Sequence, residues 1–199
     1  MTSSRLLLLV SVAGAAAALA SCSKPATEAT PGVSESAEAS ASAGANDPIA
    51  SAESAAPAAV AKAASIVAVQ PDGSMKELRK GTNGFTCMPD NPTTPGPDPM
   101  CMDGNAMTWA QAWMGHKPPP TDKAGIMYML SGGTDASNTD PYAKQPTSGG
   151  DWIHTGPHIM VVGSKATLAG YPSGPNPNTK APYVMWAGTP YAHLMIPVS

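Results

Sequence analysis

Two short segments near the C-terminus carry side chains that can bind a metal ion. His158 and Met160 lie two residues apart, and His193 and Met195 repeat this spacing in a similar apolar context. Because residues two apart in a β-strand point to the same face, each segment would present an imidazole beside a thioether. These ligands suit Cu(I), and all four can converge if the two strands are neighbours. One hypothesis is therefore a copper site formed by these four residues.

The same residues can also be interpreted as core residues. The chain contains 12 methionines, and methionine is a flexible side chain that fills irregular gaps in protein cores. Many of them lie in apolar runs, such as GIMYML at 125–130 and PYVMW at 182–186, where burial alone accounts for them. On this interpretation each histidine is a buried core residue and the domain needs no cofactor. We take this as the first expectation and copper as the alternative.

The sequence contains no motif that names a reaction. A nucleophile elbow and a phosphate-binding loop are absent, and the Ser-x-x-Lys spacing at 21–24 spans the predicted cleavage site. We therefore predict a binding or structural module rather than an enzyme. The alternative is a hydrolase or an oxidoreductase built around His158 and His193, which would require a carboxylate with a shifted pKa in the same pocket.

The cysteines divide into one near the N-terminus and a pair in the middle of the chain. Cys87 and Cys101 flank a proline-rich loop at 88–100. In an exported protein a disulfide is the default state of such a pair. The spacing matches neither a redox Cys-x-x-Cys motif nor a zinc pattern. We predict a structural disulfide, which in the chain-entropy account stabilises the fold by roughly 3 kcal/mol.

The first 21 residues have the pattern of a secretory signal peptide. Arg5 precedes an apolar segment at 6–20 that is too short for a stable membrane span. The sequence Leu-Ala-Ser-Cys at 19–22 resembles the lipobox of bacterial lipoproteins. That resemblance implies cleavage before Cys22, acylation of its thiol by palmitate-like chains and a location in the cell envelope. The alternative is ordinary cleavage after Ala20, without a lipid anchor.

The lipoprotein hypothesis also predicts where the protein acts. Its partner would be a membrane, reached through the lipid, and in a Gram-negative host Ser23 favours the outer membrane, facing the periplasm. The chain has 11 Lys and Arg against 14 Asp and Glu, a formal net charge of −3. This mild acidity argues against a nucleic-acid partner, whose phosphates require a basic surface. The composition names no protein or small-molecule partner.

Composition divides the mature chain into two parts. Residues 22–64 are almost entirely Ala, Ser, Glu, Pro, Gly and Thr, and they include no aromatic residue. Because such a segment buries too little apolar surface to offset its ordering entropy, we predict a disordered tether behind the lipidated Cys22. Residues 65–199 hold all the aromatic residues and histidines. Their length is that of a single globular domain.

Hydrophobic patterning within the predicted domain favours strands and one main helix. The helix is predicted at Asp103–Met114, because Trp109 and Trp113 lie four apart and Gly115 followed by prolines ends the pattern. The fold class is predicted to be α+β, with an antiparallel or mixed sheet of five or six strands. The predicted strands are residues 65–70, 75–80, 125–130, 158–162, 182–186 and 191–198, with a further strand at 85–87 after a hairpin signal at 82–84. A short helix is predicted at 164–169.

Four phrases in this domain are together similar to a family of exported bacterial proteins that has no assigned activity. They are RKGTNGFTC at 79–87, TDASNTDP at 134–141, TGPHIM at 155–160 and TPYAHLM at 189–195. The resemblance implies that residues 65–199 form one unit. It implies no substrate, cofactor or site residue.

Overall fold

A computed structural model describes residues 47–198, which belong to one compact unit. The predicted signal peptide at 1–21, the lipidation site Cys22 and the predicted tether as far as residue 46 lie outside the described residues.

Three α-helices and ten strands follow one another along the described chain. The helices are α1 (Pro48–Glu53), α2 (Ala58–Ala61) and α3 (Gly104–Met114), and a 3-10 helix lies at Lys165–Leu168. The strands are β1 (Ser65–Val69), β2 (Met75–Arg79), β3 (Thr86–Met88), β4 (Met100–Met102), β5 (Gly125–Met129), β6 (Gly133–Asp135), β7 (Ile153–Thr155), β8 (His158–Val162), β9 (Tyr183–Met185) and β10 (His193–Pro197).

Eight of these strands form one mixed sheet in the order β2-β1-β3-β4-β5-β8-β10-β9, and β6 pairs with β7 separately. Neighbours in the large sheet are antiparallel except β1 and β3, which run parallel. The predicted α+β class is compatible with this mostly-β architecture, but the predicted number of strands is wrong. The strands that were not predicted, β4, β6 and β7, have three residues each, too few to show the alternation that identifies a strand.

The two faces of the large sheet are covered by different helices. Helix α3 packs on the face that carries Met102, Met127 and Met160, which we call the methionine face. Helices α1 and α2 pack against Cys87 and Cys101. Because neighbouring residues in a strand point in opposite directions, these cysteines lie on the other side of the sheet. We call that side the alanine face.

Residues 47–64 are folded onto the alanine face, so the predicted boundary between tether and domain at residue 64 is wrong. Asp47 caps α1 by accepting bonds from the backbone N–H groups of Ile49 and Ala50. Small side chains let these helices approach the sheet closely, and packing thereby outweighs the weak hydrophobicity of the segment. The buried alanines are Ala52, Ala55, Ala56, Ala61 and Ala64.

Helix α3 agrees with the prediction and is fixed to the sheet at its first turn. The side chain of Asp103 accepts a bond from the N–H of Ala106 at 2.8 Å and another from the N–H of Ile126 in β5 at 3.0 Å. One cap therefore starts the helix and joins it to a strand. None of the helices described between residues 47 and 198 has the length and apolar character needed to cross a bilayer.

The predicted disulfide is confirmed. Cys87 and Cys101 lie directly opposite each other in β3 and β4, with their Cα atoms 3.9 Å apart. Both residues are fully buried in the cluster formed with α1 and α2. The bond therefore joins two strands beneath the alanine face and closes the proline-rich loop between them.

Candidate functional site on the methionine face

A row of four methionines crosses the methionine face. Met102, Met127, Met160 and Met195 are directly opposed in the successive strand pairs β4–β5, β5–β8 and β8–β10. Each is at most 8% exposed. Directly opposed residues place their Cβ atoms about 5 Å apart, so the thioethers form a continuous strip across four strands.

One histidine lies beside this strip at the start of β8. His158 is directly opposed to Met129 of β5, and Met160 follows two residues later on the same face. The ends of the His158 and Met129 side chains meet at Gly133. A Cβ added to that glycine would lie 2.9 Å from Cε of Met129 and 3.4 Å from Cε1 of His158. We call His158, Met129 and Met160 the His158 end.

A second histidine begins β10 and has equivalent neighbours. His193 is directly opposed to Met185 of β9, and Met195 follows two residues later on the same face. All three side chains are almost completely buried. We call these three residues the His193 end. Each end of the site therefore combines one imidazole with two thioethers.

Both imidazoles are oriented by main-chain carbonyls. Nδ1 of His158 lies 2.7 Å from the carbonyl oxygen of Gly156, and Nδ1 of His193 lies 2.9 Å from that of Tyr191. Because a carbonyl oxygen can only accept, each Nδ1 donates the proton and each Nε2 keeps a free lone pair. Both Nε2 atoms are buried and have no hydrogen-bond partner within residues 47–198. A buried acceptor without a partner is costly, so each needs an explanation, and metal binding is one.

Burial keeps both imidazoles neutral. Desolvation lowers the pKa of His193 to about 4; the bond to the Tyr191 carbonyl opposes this shift, and the charge of His158 adds to it. Desolvation also lowers the pKa of His158, against the opposing bond to Gly156. Neutral imidazole is the form that binds a metal ion. At neutral pH, neither ring would have to lose a proton before it binds a metal ion.

The four residues predicted as metal ligands lie on one face of adjacent strands. Met160 and Met195 are directly opposed, but the register offsets the two histidines by four positions, about 13 Å along the strands. The structure therefore forms two ends rather than one cluster around a single ion. Met129 and Met185 were not predicted as ligands. Their apolar runs predicted strands, but which strands they would face depends on the long-range order of the sheet.

An aromatic cluster encloses the His193 end. The ring centroid of His193 lies 5.3 Å from that of Trp109 and 5.0 Å from that of Trp186, with interplanar angles of 72° and 78°. The two indoles are nearly parallel, with centroids 6.3 Å apart. Tyr191 packs edge-on against Trp109. The part of the chain that the structure describes contains no corresponding aromatic pair for His158.

The rest of the described surface offers weaker candidates. An open cleft of about 550 Å³ is lined by polar residues, including Asp151 and His154, together with Trp152. No group of three or more His, Cys, Asp or Glu side chains in residues 47–198 could hold a metal ion.

Neither a protein-family model, nor a curated protein, nor a solved structure matches this chain. The resemblance to an exported family without assigned activity stays a prediction. What the domain does therefore has to be inferred from the chemistry of the methionine face.

Proposed function

We propose that this protein is an envelope lipoprotein whose globular domain is a binding module for Cu(I). The proposal rests on the buried, unpartnered Nε2 atoms of His158 and His193, each beside thioether side chains. Either end of the methionine face would hold an ion through one imidazole nitrogen and two sulfur atoms. Soft, neutral ligands of this kind suit Cu(I).

The donor set favours a soft monovalent ion over Ca²⁺ or Zn²⁺. Calcium requires six to eight oxygen ligands, and structural zinc sites are usually built from thiolates and imidazoles. The two cysteines of the domain, Cys87 and Cys101, are joined in a disulfide and supply no thiolate. With neutral ligands alone, burying a single positive charge costs less than burying two.

The hydrogen bonds of the imidazoles support the same role. In metal sites the ring nitrogen that does not bind the ion typically donates to a carbonyl or carboxylate, which fixes the ring and its tautomer. The bonds from His158 to Gly156 and from His193 to Tyr191 have this form. Each ring is therefore oriented by its own main chain before any ion binds.

The enzyme alternative has less support from this geometry. A general acid or base must reach its substrate, whereas His158 and His193 are both 1% exposed. Each ring has its hydrogen bond to a main-chain carbonyl, and no carboxylate among the described residues bonds to either ring. A binding role is the better explanation.

The location proposed for this module depends on Cys22. The lipobox resemblance supports cleavage before this residue, acylation of its thiol and attachment of the domain to a bilayer. Labelling cells with a palmitate analogue tests this: the wild type should be labelled and Cys22→Ser should not. Label that survives the substitution, or no label on the wild type, would contradict the anchor.

Copper binding is tested by anaerobic titration of the full chain in detergent, in competition with a chromogenic Cu(I) chelator. We expect a Kd below about 1 μM, equivalent to about −8 kcal/mol. Two variants, His193→Gln and Met195→Leu, remove a ligand while keeping most of its volume, and each should weaken binding about tenfold or more. His154→Gln is the matched control, since that histidine is exposed and lies outside the methionine face.

The outcomes separate binding from packing. If the wild type binds Cu(I) more weakly than about 1 μM, the methionine face is a packed core and the proposal is wrong. Equal affinity in the wild type and in a His158→Gln/His193→Gln double variant would lead to the same conclusion, provided that both remain folded by circular dichroism.

A further inference from the structure

The two ends of the methionine face differ in the aromatic residues around them. We propose that Trp109 and Trp186 cap the ion bound at the His193 end, which makes this end the tighter Cu(I) site and couples its occupancy to indole fluorescence. This inference rests on the proposed function.

The rings of His193, Trp109 and Trp186 form a compact triangle. Their centroids are separated by 5.0, 5.3 and 6.3 Å, and the imidazole plane is steeply inclined to both indoles. Nδ1 of the imidazole is held by the carbonyl of Tyr191, and Nε2 is buried. The free lone pair therefore opens into the enclosed protein interior rather than toward water.

Trp186 is held in this triangle by an unusual backbone conformation. Its φ is +55°, a left-handed value that is a genuine outlier for a bulky residue. Its backbone N–H donates to the carbonyl of Asn138 at 2.7 Å, and its Nε1–H donates to the carbonyl of Ser137 at 3.1 Å. Such strained residues cluster at functional sites. Here the strained residue places an indole against the imidazole of a proposed ligand.

Trp109 lies between the same imidazole and the protein surface. It is 3% exposed, and it lines a surface cavity of about 210 Å³ together with Asp122 and Lys123. On its inner side it contacts His193. Trp109 is therefore placed to keep water away from the imidazole of His193.

Indole faces can select for the ion as well as shield it. A cation within about 6 Å of an indole centroid is attracted by the ring, and more strongly where water is excluded. The nearly parallel rings of Trp109 and Trp186 provide two such faces beside His193. The His158 end offers thioethers and an imidazole without this pair. We therefore expect the first equivalent of Cu(I) to bind at the His193 end.

Anaerobic fluorescence titration of the full chain with Cu(I) tests the inference. The first equivalent should quench tryptophan emission, because the ion would contact two of the four tryptophans. Trp109→Phe and Trp186→Phe should each reduce the quenching and weaken binding about tenfold. Trp152→Phe is the matched control, since that indole lines the separate surface cleft. This variant should bind as the wild type does.

The results distinguish this inference from the proposed function. If Cu(I) binds the wild type without quenching, or if His158→Gln abolishes the first equivalent while His193→Gln leaves it intact, the indole cap is wrong and copper binding stands. If chelator competition detects no Cu(I) binding to the wild type, the proposed function fails, and the cap with it. The wild-type measurement depends on no variant, so a misfolded substitution does not remove the test.

Discussion

The alanine face and the methionine face cover the same sheet, but only one of them leaves buried polar atoms without partners. On the alanine face, Glu53 of α1 forms ion pairs with Lys62 and Arg79, and the buried cluster contributes no unpartnered polar atom within residues 47–198. The methionine face holds three such atoms, Nε2 of His158, Nε2 of His193 and Nε1 of Trp109. A core that only has to pack rarely leaves such atoms. This difference supports the proposed ligand binding on the methionine face, whereas the alanine face contributes stability.

Gly125→Ala should cause the largest loss of stability, by separating helix α3 from the methionine face. The added Cβ would lie 2.3 Å from the backbone N of Ala106 and 2.6 Å from its Cα. These atoms cannot yield without a shift of the helix, so we expect a loss of about 3 kcal/mol or more. Denaturant unfolding measures it. Gly104→Ala is the control, because an added Cβ there has nothing within 4 Å. Equal stability of the two variants would contradict the close contact.

Replacing the disulfide should have the next largest effect and should act from the alanine face. In a Cys87→Ala/Cys101→Ala variant we expect the free energy of unfolding to fall by about 3 kcal/mol. Because the bond lies on the opposite side of the sheet from His193, the Cu(I) affinity of the folded variant should be unchanged. A tenfold loss of affinity in this variant would show that the two faces are not independent.

The sequence predicted the elements better than it predicted their neighbours. The strand β8 and the disulfide between Cys87 and Cys101 appear as predicted, because alternation and cysteine pairing are local signals. The alanine segment at 47–64 could not be predicted to fold from its own composition, since its burial depends on a sheet that follows it. The positions of Met129 and Met185 beside the histidines could not be predicted for the same reason, since they depend on the strand order β5-β8-β10-β9.

Acid should destabilise the metal-free protein through the methionine face. The pKa of His193 falls from an ordinary 6.5 to about 4 on folding, through burial. The stability that the neutral ring contributes is therefore complete above pH 6.5 and is lost as the pH falls toward 4. At pH 5 the loss in the free energy of unfolding should be about 2 kcal/mol. When urea unfolding is measured between pH 7 and pH 5, the free energy of unfolding should change less steeply with pH in His193→Gln than in the wild type. His154→Gln is the control, and an unchanged slope in the first variant would contradict the buried neutral ring.

The contribution of Asp98 to stability should have the opposite pH dependence. Asp98 is linked by hydrogen bonds to helix α1, which covers the alanine face. Its backbone N–H donates to the side chain of Asp90 at 2.8 Å, and the N–H of Asp90 donates to Ser51 of α1 at 3.0 Å. Burial raises the pKa of Asp98 to about 6, and Asp90 adds to the shift, whereas bonds from Thr94 and Asn91 oppose it. Because the folded pKa lies above the ordinary value of 3.8, the carboxyl favours folding most strongly at low pH. This contribution is lost as the pH rises through 6.

Asp98→Asn should therefore be the smallest but most informative change. It keeps the shape of the side chain and removes the charge, so at pH 8 we expect a gain of about 1 kcal/mol, discounted because solvent screens this half-buried group. At pH 4.5 only about a third of the gain should remain, since the carboxyl is then protonated in the folded state but largely ionised in the unfolded state, and the gain should vanish below pH 3.8. Asp151→Asn, at an exposed position in the surface cleft, is the control. Destabilisation by Asp98→Asn at pH 8 would show that the charged carboxylate is stabilised by its hydrogen bonds. Acid would then weaken both faces, and their opposite responses to pH would be lost.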